Sequence, residues 1–353
     1  MVTTRPRILS VGTALPPRKY TQEEVLRLMQ STNPAVREIF LAAHIQTRHL
    51  YLPVTPEDGS KPRESQSQLL AKMRRGAMEI APQAIARCLE QVDLKTSDID
   101  FLCCITSSGL MLPGLTAMMI RHFGFRVNCH RMDIVGMGCN AGLNGLNPVS
   151  NWAAANPGKN ALMVCCEINS ALYIDEDTVS NGVVNSLFGD GCAAVLLRAD
   201  EVDEPRFAPQ VLGFYSHIIP ETWAAMHYEW SERHGKYFFY LDRDVPYVLG
   251  THAATPVAGL LERFGLKRRH IQHWLIHSGG KKVIDAIKYT VGITEHDVRH
   301  TAGVLRECGN LSSGSFLFSY ERLMREKVVQ RGDYGVMMTM GPGSTIETAL
   351  LRW

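Results

Sequence analysis

A cysteine, a histidine and an asparagine stand out in this sequence by where they sit. Cys139 follows the apolar stretch DIVGM and precedes Asn140, Ala141 and Gly142, small residues that open a helical pattern. A thiol at a strand-to-helix junction feels the positive end of the helix, which lowers its pKa and raises the thiolate fraction. Small neighbours also let a carbonyl carbon approach the sulfur. The plain alternative is one more buried core thiol among nine cysteines. A hydrolase nucleophile elbow would need one residue between glycine and nucleophile, whereas Gly138 adjoins Cys139 directly. His277 lies near the end of the run HWLIHSGG, and open α/β sheets gather ligand-contacting residues at the carboxyl ends of strands. A histidine there also serves as a structural hydrogen-bonder. Asn310 lies in the polar loop GNLSSGSF, where its amide could donate to an oxyanion or cap a turn. Taken together the three suit decarboxylative Claisen chemistry, which needs a thiolate to hold an acyl chain and donors to stabilise an enolate.

The elements that must position these residues alternate between short apolar runs and helical patterns, which predicts a mostly parallel sheet covered by helices. ILSVGTA reads as the first strand; IDFLCCITSSG, DIVGMGC, ALMVCCE and CAAVLLR follow with helices between them. Thr21 to Glu24 fits a capping box, and the longest helical pattern runs from about Gln68 to Val92. In the second half GFYSHII, HWLIHSGG and TALLRW read as strands, Pro246 to Phe264 as one helix and KKVIDAIKYTVGI as another. Gly189-Asp190-Gly191 before CAAVLLR matches Gly341-Pro342-Gly343 before STIETALLR, so the chain reads as an internal duplication of about 160 residues. The halves are placed at 1–204, carrying the cysteine, and 205–353, carrying the histidine and asparagine. Pro148 falls inside the helical stretch after Cys139, where a proline costs about 3 kcal/mol, and predicts a kink or break.

Composition narrows the class. The chain has 353 residues, 45% hydrophobic and 20% charged, with a formal net charge of +2, which excludes disorder and a polybasic nucleic-acid surface. Its first residues lack the apolar stretch of a secretory signal, and no run reaches the roughly 18 apolar residues of a membrane span, so a cytoplasmic location is expected. The pairs Cys103-Cys104 and Cys165-Cys166 fall inside strand-like runs, where neighbours point to opposite faces, and read as buried reduced thiols. No C-x-x-C spacing occurs, and no metal site is expected.

The strings GMGCNAG, LFGDG, HSGGKKVIDAI, GNLSSGSF and MGPGST, in this order along nearly the whole chain, resemble the type III polyketide synthases of the thiolase superfamily. The resemblance implies an α/β fold of the thiolase type, a duplicated βαβαβ unit in five layers, αβαβα. It implies Cys139 as the acyl-accepting nucleophile, with His277 and Asn310 completing a triad. It further implies Phe188 and Phe239 as gatekeeper aromatics, and Gly341-Pro342-Gly343 as a loop lining the cavity, with Met340 where many members carry Phe. Leu172 and Val184 stand where chalcone-forming members have Thr and Gly, and should narrow the space for a starter. VVNSLFGDG, HDVRHTAGVLR and DYGVMMTMGPGSTIE are similar to a bacterial branch that takes malonyl-CoA as both starter and extender, joins four units and closes an aromatic ring in antibiotic biosynthesis. Malonyl-CoA and CoA would be the small-molecule partners, no cofactor is implied, and a homodimer is expected, with no nucleic-acid or membrane partner. An acyl-carrier-protein-dependent ketoacyl synthase, which uses the same three residue types, would show HQAN where this chain has HSGG. A non-catalytic thiolase-like subunit would typically lose the cysteine.

Overall fold

Two leaves of β-sheet, each covered outside by helices and sharing a helical layer between them, make up the computed structural model, which describes residues 5–42, 44–173, 176–200 and 207–353. The first half runs β1 (Arg7–Ala14), β2 (Lys19–Thr21), α1 (Gln22–Leu28), α2 (Pro34–Ala42), β3 (Thr47–His49), α3 (Gln66–Glu90), β4 (Phe101–Thr106) and α4 (Leu115–His122). It continues through β5 (His130–Val135), α5 (Ala141–Ala155), β6 (Ala161–Glu167), α6 (Val179–Leu187) and β7 (Gly191–Arg198). The second half runs β8 (Gln210–Ile218), β9 (Met226–Ser231), β10 (Lys236–Leu241), α7 (Val245–His252), α8 (Ala254–Glu262), β11 (His273–Ile276) and α9 (Lys281–Val291). It closes with α10 (Arg299–Cys308), α11 (Ser315–Glu326), β12 (Tyr334–Gly341) and β13 (Thr345–Arg352). The expected division between residues 204 and 205 lies outside the described residues.

The nine-stranded order β11-β12-β13-β8-β1-β7-β6-β4-β5 contains the same sequence of strands twice. In one leaf β1 meets antiparallel β7, which meets antiparallel β6, which meets parallel β4. In the other, β8 meets antiparallel β13, which meets antiparallel β12, which meets parallel β11. The leaves join through a single residue pair, Arg7 with Gln210. The sheet is therefore mixed, and the mostly parallel sheet expected from the helix–strand alternation is corrected. The alternation does not register the short turn at Pro342–Ser344, which forces β12 and β13 to run antiparallel.

Three cores separate the layers. The central one packs Leu143 and Leu146 of α5 and Phe316 and Leu317 of α11 between Cys103 and Cys165 of one leaf and Leu275 and Met337 of the other. Ile80 and Ala84 of α3 cover the outer face of the first leaf, touching the cluster of Cys104 and Cys166. Leu260 of α8 and Ile287 of α9 cover the outer face of the second leaf with Ile276 and Met338. These are the five αβαβα layers, and each adjacent cysteine pair splits between the central and outer cores as strand alternation requires.

Local chemistry explains the helix limits. Thr21 and Glu24 cap α1 reciprocally, and Ser65 with Gln68 does the same for α3, which starts slightly earlier than the sequence pattern suggested. The single helix expected from Pro246 to Phe264 is two, α7 and α8, interrupted at Ala253. Pro256 has no N–H for the carbonyl of His252, four residues back. Pro148 removes the corresponding bond inside α5, yet α5 is unbroken. The expected break is therefore corrected: Pro148 faces outward and Asn144, whose carbonyl it leaves open, is only partly buried, so water can serve that carbonyl, while Leu146 and Val149 stay buried on either side.

The central layer is tightest at Gly142, where a Cβ would lie 2.1 Å from the carbonyl oxygen of Ser313 and 2.5 Å from the ring of Phe316. Gly142→Ala should therefore force α5 away from the 312–314 turn and destabilise the protein by about 3 kcal/mol, the upper range for overpacking. Urea denaturation should report this as a lowered midpoint at unchanged slope.

Candidate active site

Cys139 lies beyond the carboxyl end of β5, in a turn of 3-10 helix over Gly138–Asn140 that leads into α5. Gly136 and Gly138 both take positive φ, 78° and 76°, and reverse the chain between strand and helix. The Gly138 N–H donates to Ser107 Oγ at 2.7 Å, tying this turn to the end of β4. His277 follows β11 directly; its backbone N–H donates to Met338 O at 2.8 Å and its ring is buried. Its Nδ1 pairs with Ser315 Oγ at 2.5 Å, at the start of α11. Cysteine and histidine thus lie past the carboxyl ends of the two outermost strands of the sheet, β5 and β11.

Asn310 follows α10 after Gly309, whose φ of 74° suits glycine alone. Its backbone bridges to the segment that ends α6: Asn310 N–H donates to Leu187 O at 2.9 Å, and Gly189 N–H donates to Asn310 O at 3.0 Å. Asn310 Oδ1 accepts from Ser312 N–H at 2.8 Å, so the amide nitrogen is the end left to donate, toward Gly279 O at 3.4 Å and toward the Cys139 sulfur. Ser312 joins the three. Its side chain also hydrogen-bonds the Cys139 sulfur, and its backbone hydrogen-bonds His277.

Burial sets the charge states. Loss of water pushes the Cys139 thiol up to about 12; hydrogen bonds from Ser312 and Asn310 oppose this, and the charge of Glu167 adds to it. The lowered thiol pKa expected from the helix end is corrected here. A rise of that size is about 4 kcal/mol, whereas a helix terminus contributes about 0.3–1 kcal/mol at exposed sites and at most about 2. Burial likewise lowers His277 to about 3, against the opposing hydrogen bond that its ring donates to the Ser312 backbone carbonyl. At rest the thiol is protonated and the imidazole uncharged, with Ser312 hydrogen-bonded to both.

Beside Cys139 opens a cavity of about 350 Å³. Leu172, Val184, Phe188 and Phe239 line it, as does Ser312. Phe188 and Phe239 meet edge to face, ring centroids 5.8 Å apart, and Tyr228 adds a third ring 5.7 Å from Phe239. His277 and Asn310 do not line the cavity; they sit buried at its margin. Nor do Gly341 and Gly343, against the expectation for that loop. Gly341 instead backs the nucleophile turn: a Cβ there would lie 2.7 Å from the Asn140 nitrogen and 3.0 Å from that of Cys139. Pro342 packs against Gly138, and Met340 is buried in the outer core of the second leaf.

The sequence reasoning missed Ser107, Asn169 and Tyr228, which also line the cavity, and Ser312 and Glu167, which organise it. Glu167 is fully buried and accepts from the N–H groups of Ser107 (2.9 Å) and Ser108 (3.1 Å) and from the hydroxyl of Ser313 (2.6 Å). A carboxylate ending the apolar run ALMVCCE was the available signal. Among the described residues no cluster of three or more His, Cys, Asp or Glu side chains could hold a metal ion, and no helix is long and apolar enough to cross a membrane.

Residues 40–211 match the family model described as FAE1/Type III polyketide synthase-like protein, and residues 212–353 that of the chalcone and stilbene synthases, C-terminal domain. The 3,5-dihydroxyphenylacetyl-CoA synthase of Streptomyces toyocaensis is 52% identical over 99% of this chain and 90% of its own length. That of Amycolatopsis orientalis is 49% identical over 98% of this chain and 93% of its own. Among solved structures, PKS-I from the brown alga Ectocarpus siliculosus shares the fold with a TM-score of 0.91 at 24% identity, over 100% of this chain and 99% of that one. 1,3,6,8-Tetrahydroxynaphthalene synthase from Streptomyces coelicolor A3(2) aligns with a TM-score of 0.89 at 27% identity, over 98% and 99% of the two chains.

The hydrogen bond from Ser312 should be measurable without any substrate. Ser312→Ala removes a donor to the Cys139 sulfur, a loss of about 1 kcal/mol, so alkylation of Cys139 by iodoacetamide at pH 8 should slow about fivefold. Peptide mass spectrometry reads this against the other cysteines; an unchanged rate would mean that the Ser312 hydroxyl does not act on Cys139.

Proposed function

The chain belongs to the type III polyketide synthases, acyltransferases that condense CoA-thioester units, and on that footing we propose that it makes 3,5-dihydroxyphenylacetyl-CoA from malonyl-CoA alone. The observation that carries this product is the similarity along the whole chain to two synthases of that name. Four malonyl units, each losing one carbon dioxide, supply the carbons of the dihydroxyphenylacetyl group. The bulk of Leu172 and Val184 in the cavity wall supports a small starter.

In this reading Cys139 Sγ attacks the thioester carbonyl of the starter. Its proton passes to His277 and the CoA thiolate leaves with a proton. His277, uncharged at rest, can accept the proton; because both groups resist ionising when buried, the transfer runs together with C–S bond formation and no free thiolate builds up. A second malonyl-CoA then loses carbon dioxide, and the electron pair of the broken C–C bond becomes an enolate whose oxygen accepts from the Asn310 amide and from His277. The enolate carbon attacks the Cys139 thioester, forming a C–C bond and expelling the thiolate, and the lengthened chain returns to Cys139 for the next round. Phe188 and Phe239 act as the gate between incoming pantetheine and the cavity. We also read the enzyme as a homodimer. Support comes from the edge strand β5 and the adjoining loop, which leave Leu110, Leu112, Val127 and Val135 exposed.

Cys139→Ala should abolish both product and the radiolabelled acyl-enzyme formed from malonyl-CoA, because neither imidazole nor amide can replace the thioester. Asn310→Ala should slow malonyl-CoA decarboxylation about 100- to 1000-fold with the fold intact. Label retained on the Cys139→Ala protein would overturn the nucleophile assignment.

Starter choice should follow cavity volume. The wild type should need no added starter and should use bulky aromatic CoA esters poorly. The double variant Leu172→Thr, Val184→Gly should admit them, with a shift of about 1 to 3 kcal/mol in selectivity per methylene's worth of space and some loss of stability. Competition between malonyl-CoA and an aromatic CoA ester measures this, and a wild-type preference for the aromatic starter would defeat the malonyl-only reading.

A further inference from the structure

Behind the cavity wall lies a guanidinium wholly removed from solvent, that of Arg48 on β3. Burying a charge is costly unless every hydrogen-bonding position is used. No carboxylate hydrogen-bonds this one. Its Nε donates to Gln22 Oε1 at 3.0 Å, and its Nη1 to Asn185 O at 2.6 Å, Phe188 O at 2.7 Å and the Tyr173 hydroxyl at 2.7 Å. Its Nη2 has no partner among the described residues. The Tyr173 hydroxyl passes its own proton to Phe188 O at 2.8 Å, and Gln22 Nε2 donates to Ser186 O at 2.9 Å.

The acceptors share a location. Asn185, Ser186 and Phe188 are at the carboxyl end of α6, where helical carbonyls have no partners within the helix and cations are favoured. The same short stretch carries Val184 and Phe188 of the cavity wall, and through Leu187 and Gly189 it fixes the backbone of Asn310 on both sides. A shift at Phe188 would therefore be felt at the gate and at the amide together. Gly309 is in van der Waals reach of the Arg48 side chain, so the approach to Asn310 is packed against it as well.

We propose that Arg48, acting with Tyr173, is a positioning residue that sets the gate ring of Phe188 and the amide of Asn310 in register with one another. It touches no reacting atom; it acts through the carbonyls of Asn185 and Phe188. A lysine in its place keeps the charge, but its single ammonium cannot serve Gln22 together with the two carbonyls and Tyr173, as Nε and Nη1 do from separate corners of the guanidinium. This rests on the reading of Phe188 as a gate.

The test compares Arg48→Lys, Tyr173→Phe and Phe188→Ala with the wild type for kcat, KM for malonyl-CoA and the ratio of aromatic product to shorter released polyketides. Circular dichroism and melting serve as folding controls. Tyr173→Phe deletes one hydroxyl and keeps the ring, so it remains informative should Arg48→Lys fold poorly. We expect KM to rise and kcat/KM to fall about tenfold in Arg48→Lys and about threefold in Tyr173→Phe, as the loss of one or two hydrogen bonds implies. Both should release more short products. If Tyr173→Phe keeps the wild-type KM and product ratio while Phe188→Ala changes them, the positioning role is overturned and the gate stands. If Phe188→Ala itself changes neither, the gate reading falls and this inference falls with it.

Discussion

Where the carboxyl ends of the first leaf meet the turn before α11, one carboxylate holds them. Glu167, at the end of β6, takes the backbone N–H groups that follow β4 on one oxygen and the hydroxyl of Ser313 on the other. The donors come from both halves of the chain. In a water-free setting such bonds are stronger than at the surface, and any one left unmade is correspondingly expensive. The position of Cys139 depends on this knot: Ser107, whose N–H serves Glu167, also takes the N–H of Gly138 on its hydroxyl. The position of Asn310 depends on it too, through the turn of Ser312 and Ser313.

The dryness that strengthens this knot also governs the chemistry. A thiol at a helix end, taken alone, would be an acidified nucleophile. In this interior the cost of uncovering a charge exceeds the field of one helix terminus, so the sulfur rests protonated, and in the proposed mechanism it gives up that proton only as it attacks. The neighbouring donors are then most useful in the transition state, when charge develops on sulfur and on the enolate oxygen, since they are already oriented.

What could be read in advance was whatever short-range pattern dictates. The opposite facing of Cys103 and Cys104, the capping box at Thr21 and the placement of Cys139 and His277 just past strands all follow from alternation, caps and strand ends. Strand direction did not follow, because it depends on connections such as the tight turn before Thr345. β12 was overlooked because its YGVMMTMG is methionine-rich and lies between glycine-containing turns, with only Val336 and Thr339 as β-branched residues. Pro148 misled because its cost depends on which side of the helix it faces. Ser312 was out of reach because its role arises from residues 145 positions apart in the chain meeting in space, while Glu167 left only the sign of a carboxylate ending an apolar run. Gly341 was read as a lining residue, but the glycine is needed for backbone clearance behind Cys139.

All nine cysteines are free and buried, yet of them only Cys139 borders the cavity. Cys88, Cys103 and Cys104 are held in protonated form by the same loss of water, with no opening beside them. What sets Cys139 apart is its place on the cavity rather than its exposure or acidity, since Cys129 is almost as exposed, at 7% beside 8%. A reactive warhead shaped for that cavity would meet Cys139 and none of the other eight cysteines, so the fit of the warhead rather than its reactivity selects the thiol.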